Sequence, residues 1–182
     1  MTGTIFSIGY GNKDINEFLQ ELKSFDINYL ADVRTKPYAK WNPAFNQDVL
    51  TFHLDSAGIR YVYMGDQLGG MPTDSSCYTN GHIDYAKIAQ KDFFRAGLER
   101  LVVANTKGLR LAVMCSEGDP SLCHRSKLIG QELFKRHIMM QHIVGIGKAK
   151  SQLDVIYTLT KGTPTIDLFG EETTFMSRKE YV

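Results

Sequence analysis

The chain has 182 residues, and its 21 Lys and Arg nearly balance its 20 Asp and Glu, so its formal net charge is +1. Hydrophobic residues make up 43% of the chain and charged residues 23%, which excludes disordered, collagen-like and disulfide-scaffold proteins. The near-neutral charge argues against a general polyanion-binding protein, although a local basic patch is compatible with it. At this length we predict one domain over residues 1–182.

The cysteine count and the apolar runs indicate a compartment. Three cysteines are an odd number that cannot all pair within one chain: Cys77, Cys115 and Cys123. The first residues lack the pattern of a signal peptide, and no apolar run approaches the roughly 20 residues that cross a bilayer. We therefore predict a cytoplasmic protein with reduced thiols and no membrane partner.

The first third of the chain alternates between apolar runs and helical spacing. Residues 4–9 and 29–34 are short apolar runs typical of buried strands. Between them, apolar residues recur at helical spacing over 15–25, with Asp14 in the N-cap position. A polar and aromatic loop follows, then a helix over about 47–57 with Asn46 as its N-cap.

The middle of the chain continues the same alternation. A strand is predicted at 59–64, followed by a long irregular segment over 65–81 that is typical of a binding loop or lid. Helical spacing resumes over about 85–104, and residues 109–115 form the most apolar predicted strand. A further helix is predicted over about 119–137.

A fifth strand is predicted at 141–146, and the C-terminal extension over 150–182 is ambiguous. Residues 153–159 fit either a helix or a strand, and residues 169–175 fit an edge hairpin. Apolar strands that alternate with helices indicate an α/β fold: a mostly parallel open sheet of about five strands with helices on both faces.

Polar side chains follow four of the predicted strands. In open α/β sheets, ligands bind at the carboxyl ends of the strands, where loops and helix N-termini meet. The sequence therefore predicts a site built from residues at these four positions: Tyr10 and Asn12; Asp32 and Arg34; Gly69 and Gly70; and Glu117, Cys123, His124 and Arg125.

The segment after the fourth strand carries the richest chemistry. Asp119 followed by Pro120 is typical of a helix start, which places Cys123, His124 and Arg125 near the positive end of the helix dipole. Such an end suits a phosphate, sulfate or carboxylate, and it lowers the pKa of a thiol that faces it. The alternative is that these residues pack against the sheet and that Arg125 pairs with a carboxylate.

Cys115 has three interpretations. Arg125 lies ten positions further along and Pro120 interrupts the segment, so the spacing does not match a thiol-phosphatase loop and favours a buried cysteine. Cys115, Cys123 and His124 also suggest zinc, but the second close ligand pair of structural zinc sites is missing. We therefore predict no metal and no cofactor.

Two carboxylates are candidates for acid–base chemistry. Asp32 and Arg34 lie two positions apart on a strand and therefore on the same face, where Arg34 can hold an anion and Asp32 can move a proton. Glu117 lies beyond the fourth strand and can serve the same role. The alternatives are a structural ion pair for Asp32 and a solvated loop carboxylate for Glu117.

The loop over 34–46 interleaves cations with aromatic residues, a composition that can stack a base and neutralise phosphates. Its candidate ligand-binding residues are Tyr38, Lys40, Trp41 and Asn42. The alternative is that Trp41 fills the gap between the loop and the next helix.

These residues resemble the bacterial and archaeal family of domain of unknown function 488. The resemblance covers about residues 5–143, with motifs in the family's order: Ser7-Ile8-Gly9-Tyr10-Gly11-Asn12, Asp32-Val33-Arg34-Thr35-Lys36-Pro37, Asn42-Pro43-Ala44-Phe45, Gly58-Ile59-Arg60-Tyr61, Leu68-Gly69-Gly70, Met114-Cys115-Ser116-Glu117 and Cys123-His124-Arg125. It implies a shared α/β fold and a shared site but no established activity. Two departures are Ala39-Lys40, where relatives often have Ser-Arg, and Tyr10, where they often have histidine.

Three functions follow as hypotheses. The first is an enzyme that acts on a phosphate-bearing substrate, a nucleotide or nucleic-acid component, with Arg34 and Arg125 on the anion and Glu117 or Asp32 on the proton. The second is a sulfur-transfer or redox protein that uses Cys123 or Cys115. The third is a non-catalytic module that binds nucleic acid or a partner through Trp41 and its neighbours.

Overall fold

The computed structural model describes residues 4–163, 165 and 172–181. The strands in this part of the chain are β1 (Ile5–Gly9), β2 (Tyr29–Asp32), β3 (Arg60–Tyr63), β4 (Tyr78–Thr79), β5 (His82–Asp84), β6 (Leu111–Cys115), β7 (Gln141–Gly145), β8 (Lys148–Ser151) and β9 (Met176–Glu180). The α-helices are α1 (Ile15–Lys23), α2 (Gln47–Ser56), α3 (Gly65–Leu68), α4 (Tyr85–Ala89), α5 (Asp92–Thr106), α6 (Gln131–Phe134) and α7 (Gln152–Leu159).

The fold is α/β, as predicted, and its main sheet has the strand order β3-β2-β6-β1-β7-β8. The first five of these strands are parallel, and β8 is antiparallel to β7. The predicted count of about five strands was therefore one short. The strand that was missed, β8, is largely exposed, so it lacks the apolar run by which the other strands are recognised.

Helices cover both faces of this sheet because successive strand residues point to opposite sides. On one face, Phe6 and Ile8 pack with Phe18 of α1 and Leu50 of α2. On the other face, Ile5 and Val113 belong to a second core that includes Phe94 and Leu98 of α5. The central strands β1, β2 and β6 are thus buried on both faces, whereas the edge strand β3 is partly exposed.

The strand register brings the carboxyl ends of the central strands to one edge. Gly9, the last residue of β1, pairs with Cys115, the last residue of β6. Asp32, the last residue of β2, pairs with Met114 and with Tyr63. Residues that follow these strands therefore emerge side by side, as the prediction of the site requires.

Three predicted helices differ from the structure. The helix predicted to start near residue 119 is instead a 3₁₀ turn at Pro120–Leu122, followed by a π-helix at Arg125–Gly130 and then α6. The helix predicted over 85–104 is divided into α4 and α5. Asn46 occupies the N-cap position of α2, but its side chain accepts a hydrogen bond from the Ala39 N–H rather than from the helix.

The ambiguous segments acquire definite structure only in the tertiary context. The irregular segment over 65–81 contains α3, a 3₁₀ turn and β4, and residues 153–159 are helical. Strands β4, β5 and β9 form a small antiparallel sheet. The hairpin predicted over 169–175 lies partly outside the described residues. Among those that are described, no helix combines the length and the apolar character needed to cross a membrane.

Candidate functional site

A cavity of about 450 Å³ opens at the edge where β1, β2 and β6 end. This volume suits a small molecule, since ligand sites commonly measure about 300–1,000 Å³. Seven predicted site residues line the cavity: Tyr10, Arg34, Tyr38, Gly70, Glu117, Cys123 and His124. The structure thus brings seven of the fourteen predicted site residues to one cavity.

Asp32 and Arg34 form a buried ion pair at the end of β2. The Arg34 Nε donates to both carboxylate oxygens of Asp32 at 2.9 and 3.1 Å, and Nη2 donates to Oδ2 at 2.6 Å. The Tyr61 hydroxyl donates to the same Oδ2 at 2.8 Å. Asp32 is fully buried and occupied by these bonds, so it orients Arg34.

Asp32 binds two of the three side-chain nitrogens of Arg34 and leaves the third. Its Nη1 is buried and has no hydrogen-bond partner among the described residues, although Arg34 lines the cavity. The guanidinium lies 5.5 Å from the centre of the Tyr10 ring, in the range of a cation–π contact. Burial lowers the pKa of Arg34, but the hydrogen bonds and the charge of Asp32, together with the Tyr10 hydroxyl, outweigh burial and raise it, so the charge is permanent. A buried donor without a partner is costly, which marks this nitrogen for a ligand.

Cys115, Cys123 and His124 meet on the wall of the same cavity. Their potential ligand atoms, two Sγ and the imidazole nitrogen, lie within 4.8 Å of one another. His124 Nδ1 lies 3.9 Å from Cys115 Sγ and 3.6 Å from Cys123 Sγ. These three soft donors are the residues through which the chain could hold a metal ion.

The tautomer of His124 follows from its other contact. Its Nε2 lies 3.1 Å from the carbonyl oxygen of Leu68. A carbonyl only accepts hydrogen bonds, so in neutral His124 the proton is on Nε2, and Nδ1 presents its lone pair to the two sulfurs. Leu68 ends α3, and a Cβ at Gly70 would contact the His124 ring at 2.8 Å. The predicted Gly70 therefore permits the loop to approach His124, whereas a Cβ at Gly69 would meet the Gly65 carbonyl and Thr35.

Arg125 is fully buried, and each of its three side-chain nitrogens has a partner within the protein. Its Nε lies 3.3 Å from Cys123 Sγ, Nη1 donates to Ser7 Oγ at 3.1 Å, and Nη2 donates to the Glu117 carbonyl oxygen. Among the described residues no carboxylate forms a salt bridge with Arg125. Since buried charges require a counter-charge, the sulfur of Cys123 is the group that supplies it.

The hydrogen bond from Arg125 to Ser7 is the first of a chain of buried hydrogen bonds. Ser7 Oγ lies 2.6 Å from His142 Nδ1, and His142 Nε2 lies 2.7 Å from Gln152 Oε1. Gln152 Nε2 donates to the Ser126 carbonyl at 2.9 Å, so its Oε1 accepts and His142 Nε2 carries the proton. Burial lowers the pKa of His142 to about 4, which keeps the imidazole neutral beside Arg125.

The two cysteines of the cavity are unlike each other. Burial alone raises the pKa of Cys123, but the hydrogen bond with Cys115 and the positive charge of Arg125 prevail and hold that pKa well below its usual value. The same hydrogen bond, together with burial, raises the pKa of Cys115. The pair is best described as a Cys123 thiolate beside a Cys115 thiol.

The cavity is predominantly cationic at its rim. Lys36, Arg178 and Lys179 line it, and Glu117 is its single carboxylate among the described residues. The Glu117 side chain is exposed, whereas its carbonyl accepts from Arg125. Glu117 is therefore the cavity carboxylate that solvent reaches.

Several predicted ligand-binding residues lie elsewhere. Asn12 lines a separate shallow surface depression, and the Asn42 amide donates to the Lys13 carbonyl at 3.0 Å. Trp41 is 89% exposed and lies 4.9 Å from the Lys40 ammonium. Neither Lys40 nor Trp41 lines the cavity, so this part of the loop does not cover the cavity here.

Sequence reasoning missed residues that reach the site from distant segments. Ser7 and His142 are polar residues inside apolar strands, a local signal that could have identified them. Tyr61 lies in a predicted strand, but nothing in the sequence indicated the hydrogen bond from its hydroxyl to Asp32. Arg178 and Lys179 lie on β9, where the local sequence carries no signal at all.

The comparisons with known proteins return a single family. Residues 14–131 match the family model described as Domain of unknown function DUF488. Neither the search of curated proteins nor the search of solved structures found a match. The matched range covers more than half of the chain and contains Arg34, Cys115 and Arg125, which places most of the cavity inside it. The chain therefore belongs to the DUF488 family.

Proposed function

We propose that the protein is an enzyme that acts on a small phosphate-bearing substrate, of the size of a nucleotide, bound in the cavity at the carboxyl edge of the sheet. The observation that carries this proposal is the buried Arg34 Nη1, which has no partner among the described residues although Arg34 lines the cavity. A phosphate oxygen is the acceptor that a guanidinium recognises best.

The surroundings of Arg34 support an anionic substrate. Asp32 fixes the guanidinium through Nε and Nη2, so it is oriented before any substrate arrives. Lys36, Arg178 and Lys179 add positive charge around the opening. A preorganised donor among several cations binds an anion without the cost of reorganisation.

The roles of the other residues follow from their positions. Glu117 is the solvent-exposed carboxylate at the cavity and serves as the general acid or base. Asp32 is a positioning residue, because its oxygens are occupied by Arg34 and Tyr61. Arg125 does not contact the substrate, because its donors are used by Cys123, Ser7 and the Glu117 carbonyl.

Calorimetric titration with inorganic phosphate and with a nucleoside monophosphate tests the proposal, after metals have been removed with a chelator. Arg34→Lys keeps a positive charge for Asp32 but removes the free nitrogen. We expect it to weaken binding about 10–100-fold, as for loss of a charged hydrogen bond. Arg60→Met is the matched control, because Arg60 is the first residue of β3 and lies at the amino-terminal ends of the strands, away from the cavity.

Lys36→Met is a second variant that leaves the buried ion pair intact. It should weaken phosphate binding less than Arg34→Lys, since Lys36 is exposed and its charge is screened. Absence of phosphate and nucleotide binding by the wild-type protein would refute the proposal. Equal affinity in the Arg34→Lys variant and the wild type would remove Arg34 from the site.

A second candidate function is thiolate chemistry, which the contact between Arg125 Nε and Cys123 Sγ favours. Both Cys123 and Cys115 line the cavity, so a bound electrophile can reach a sulfur there. Iodoacetamide labelling followed by peptide mass analysis distinguishes this candidate, with buried Cys77 as the internal control. Faster labelling of Cys123 than of Cys77 supports it, and equal slow labelling rejects it.

A further inference from the structure

We infer that Cys115 Sγ, Cys123 Sγ and His124 Nδ1 together form a zinc-binding site in the wall of the cavity, with one coordination position open. The sequence suggests these three ligands but lacks the second close ligand pair of structural zinc sites, which is why no metal was predicted from it. The fold assembles it, because Cys115 ends β6 while Cys123 and His124 precede the π-helix that packs beside it.

Two of the three distances between the donors are close to those of a tetrahedral zinc site, and the two sulfurs lie no more than 4.8 Å apart. Bonds of about 2.3 Å to sulfur and about 2.0–2.1 Å to nitrogen place a sulfur and a nitrogen about 3.6 Å apart. The structure has 3.6 Å from Cys123 Sγ to His124 Nδ1 and 3.9 Å from Cys115 Sγ to the same nitrogen. Coordination therefore requires shifts of only a few tenths of an ångström for these two contacts.

The orientation of His124 is a second, independent observation. Histidines that bind metals usually donate their other ring N–H to a carbonyl or a carboxylate, which fixes the ring and the tautomer. His124 does so through Nε2 and the Leu68 carbonyl at 3.1 Å. The lone pair of Nδ1 is thereby directed at the point between the two sulfurs.

The surroundings of Cys123 suit a metal-bound thiolate. Its sulfur is approached by the backbone N–H of Arg125 at 3.5 Å and by the Arg125 Nε at 3.3 Å. N–H donors of this kind stabilise the negative charge on a coordinating sulfur. Arg125 keeps its own hydrogen bonds to Ser7 and the Glu117 carbonyl.

Two cysteines and one histidine leave the fourth position of a tetrahedral ion for an exchangeable ligand. All three residues line the cavity, so this position is open to the cavity. A three-ligand set with an open position is typical of catalytic zinc sites, whereas structural sites use four protein ligands. A zinc ion at this position would place a Lewis acid beside the proposed phosphate site. The zinc inference does not depend on phosphate binding.

Titration of the metal-free, reduced full-length protein with Zn²⁺, in competition with a chromophoric chelator, tests the site. We expect one ion per chain. Cys115→Ser, Cys123→Ser and His124→Ala should each weaken binding more than about 100-fold, beyond the effect typical of outer residues. Cys77→Ala is the matched control, because Cys77 is a buried cysteine that does not line the cavity.

Two measurements on the wild-type protein keep the test decisive if a variant fails to fold. Co²⁺ in place of Zn²⁺ should give sulfur-to-metal charge-transfer absorption and the visible bands of a tetrahedral ion. Zn²⁺ should also slow iodoacetamide labelling of Cys115 and Cys123 but not of Cys77. Absence of one-to-one Zn²⁺ binding, or labelling that Zn²⁺ does not change, would overturn the inference. Phosphate titration of the metal-free protein tests the proposed function separately.

Discussion

Arg34, which follows β2, and Arg125, which begins the π-helix after β6, are both buried at the same edge of the sheet, but different groups neutralise them. Arg34 faces a carboxylate, Asp32, through Nε and Nη2, and its Nη1 has no partner among the described residues. Arg125 faces the sulfur of Cys123, and its remaining donors are used by Ser7 and the Glu117 carbonyl.

Under the proposed function, this difference separates an arginine that binds the substrate from one that is structural. A guanidinium donates through three nitrogens, so a nitrogen that has no partner within the protein decides what the group can still bind. Asp32 occupies one edge of Arg34 and leaves a nitrogen for a substrate oxygen. The protein itself occupies Arg125 on all sides, so its charge acts on Cys123 and on the stability of the fold. Four predictions test this contrast.

The largest effect is expected for Arg125→Met, which removes the buried charge and leaves the Ser7 hydroxyl and the Cys123 sulfur without their partner. Breaking a buried charged pair costs about 3–5 kcal/mol, so the free energy of unfolding should fall by that amount. Urea unfolding measures it. Arg136→Met, at an exposed arginine paired with Glu99, should cost less than about 1 kcal/mol. Similar losses in the two variants would contradict the assigned role of Arg125.

Buried His142, which is hydrogen-bonded to Ser7 next to Arg125, should make the stability of the protein sensitive to acid. The pKa of His142 is about 4 in the folded protein against 6.5 in an unfolded chain, so the unfolded state binds more protons between these values. Stability from His142 is complete above pH 6.5 and is lost as the pH falls towards 4. The expected loss is about 3 kcal/mol.

Urea unfolding at several pH values between 7 and 4 measures this loss. His142→Gln should show a smaller acid-dependent decrease than the wild type, because the group that takes up the proton on unfolding is absent. His137→Asn, at an exposed histidine, is the control and should keep the wild-type pH dependence. An unchanged slope in the His142 variant would show that acid destabilises the protein elsewhere.

On the Arg34 side, Tyr61→Phe removes the hydroxyl that donates to Asp32 at 2.8 Å. Hydrogen bonds to charged groups contribute about 1.5–3 kcal/mol, so unfolding should become easier by that amount. Tyr157→Phe, at a tyrosine that is 68% exposed, is the matched control and should change stability by less than about 0.5 kcal/mol. Thermal or urea unfolding separates the two variants.

The smallest effect is expected at Trp41, which is 89% exposed and does not line the cavity. Trp41→Ala should change stability by less than about 0.5 kcal/mol and should leave the affinity for inorganic phosphate unchanged. The same calorimetric assay then compares the phosphate affinity of this variant with that of Arg34→Lys. A large loss of phosphate affinity in the Trp41 variant would place the ligand over the loop rather than beside Arg34.

The sequence alone determined the α/β class and the edge at which the site lies. Apolar runs such as residues 111–115 mark strands buried on both faces, and polar residues directly after them mark the carboxyl edge. The pairing of Asp32 with Arg34 was also accessible, because residues two apart on a strand share a face. These properties are local, so composition and spacing are enough to predict them.

Only the tertiary structure decided which groups at that edge bond to each other and which are left for a ligand. The partners of Arg125 are Ser7, the Glu117 carbonyl and Cys123, up to 118 positions away in the chain. A helix was predicted to begin near residue 119, but the helical segment begins at Arg125. The cysteines therefore meet His124 at the cavity wall. Such contacts depend on strand order and side-chain packing, which are cooperative properties of the whole fold and have no local sequence signature.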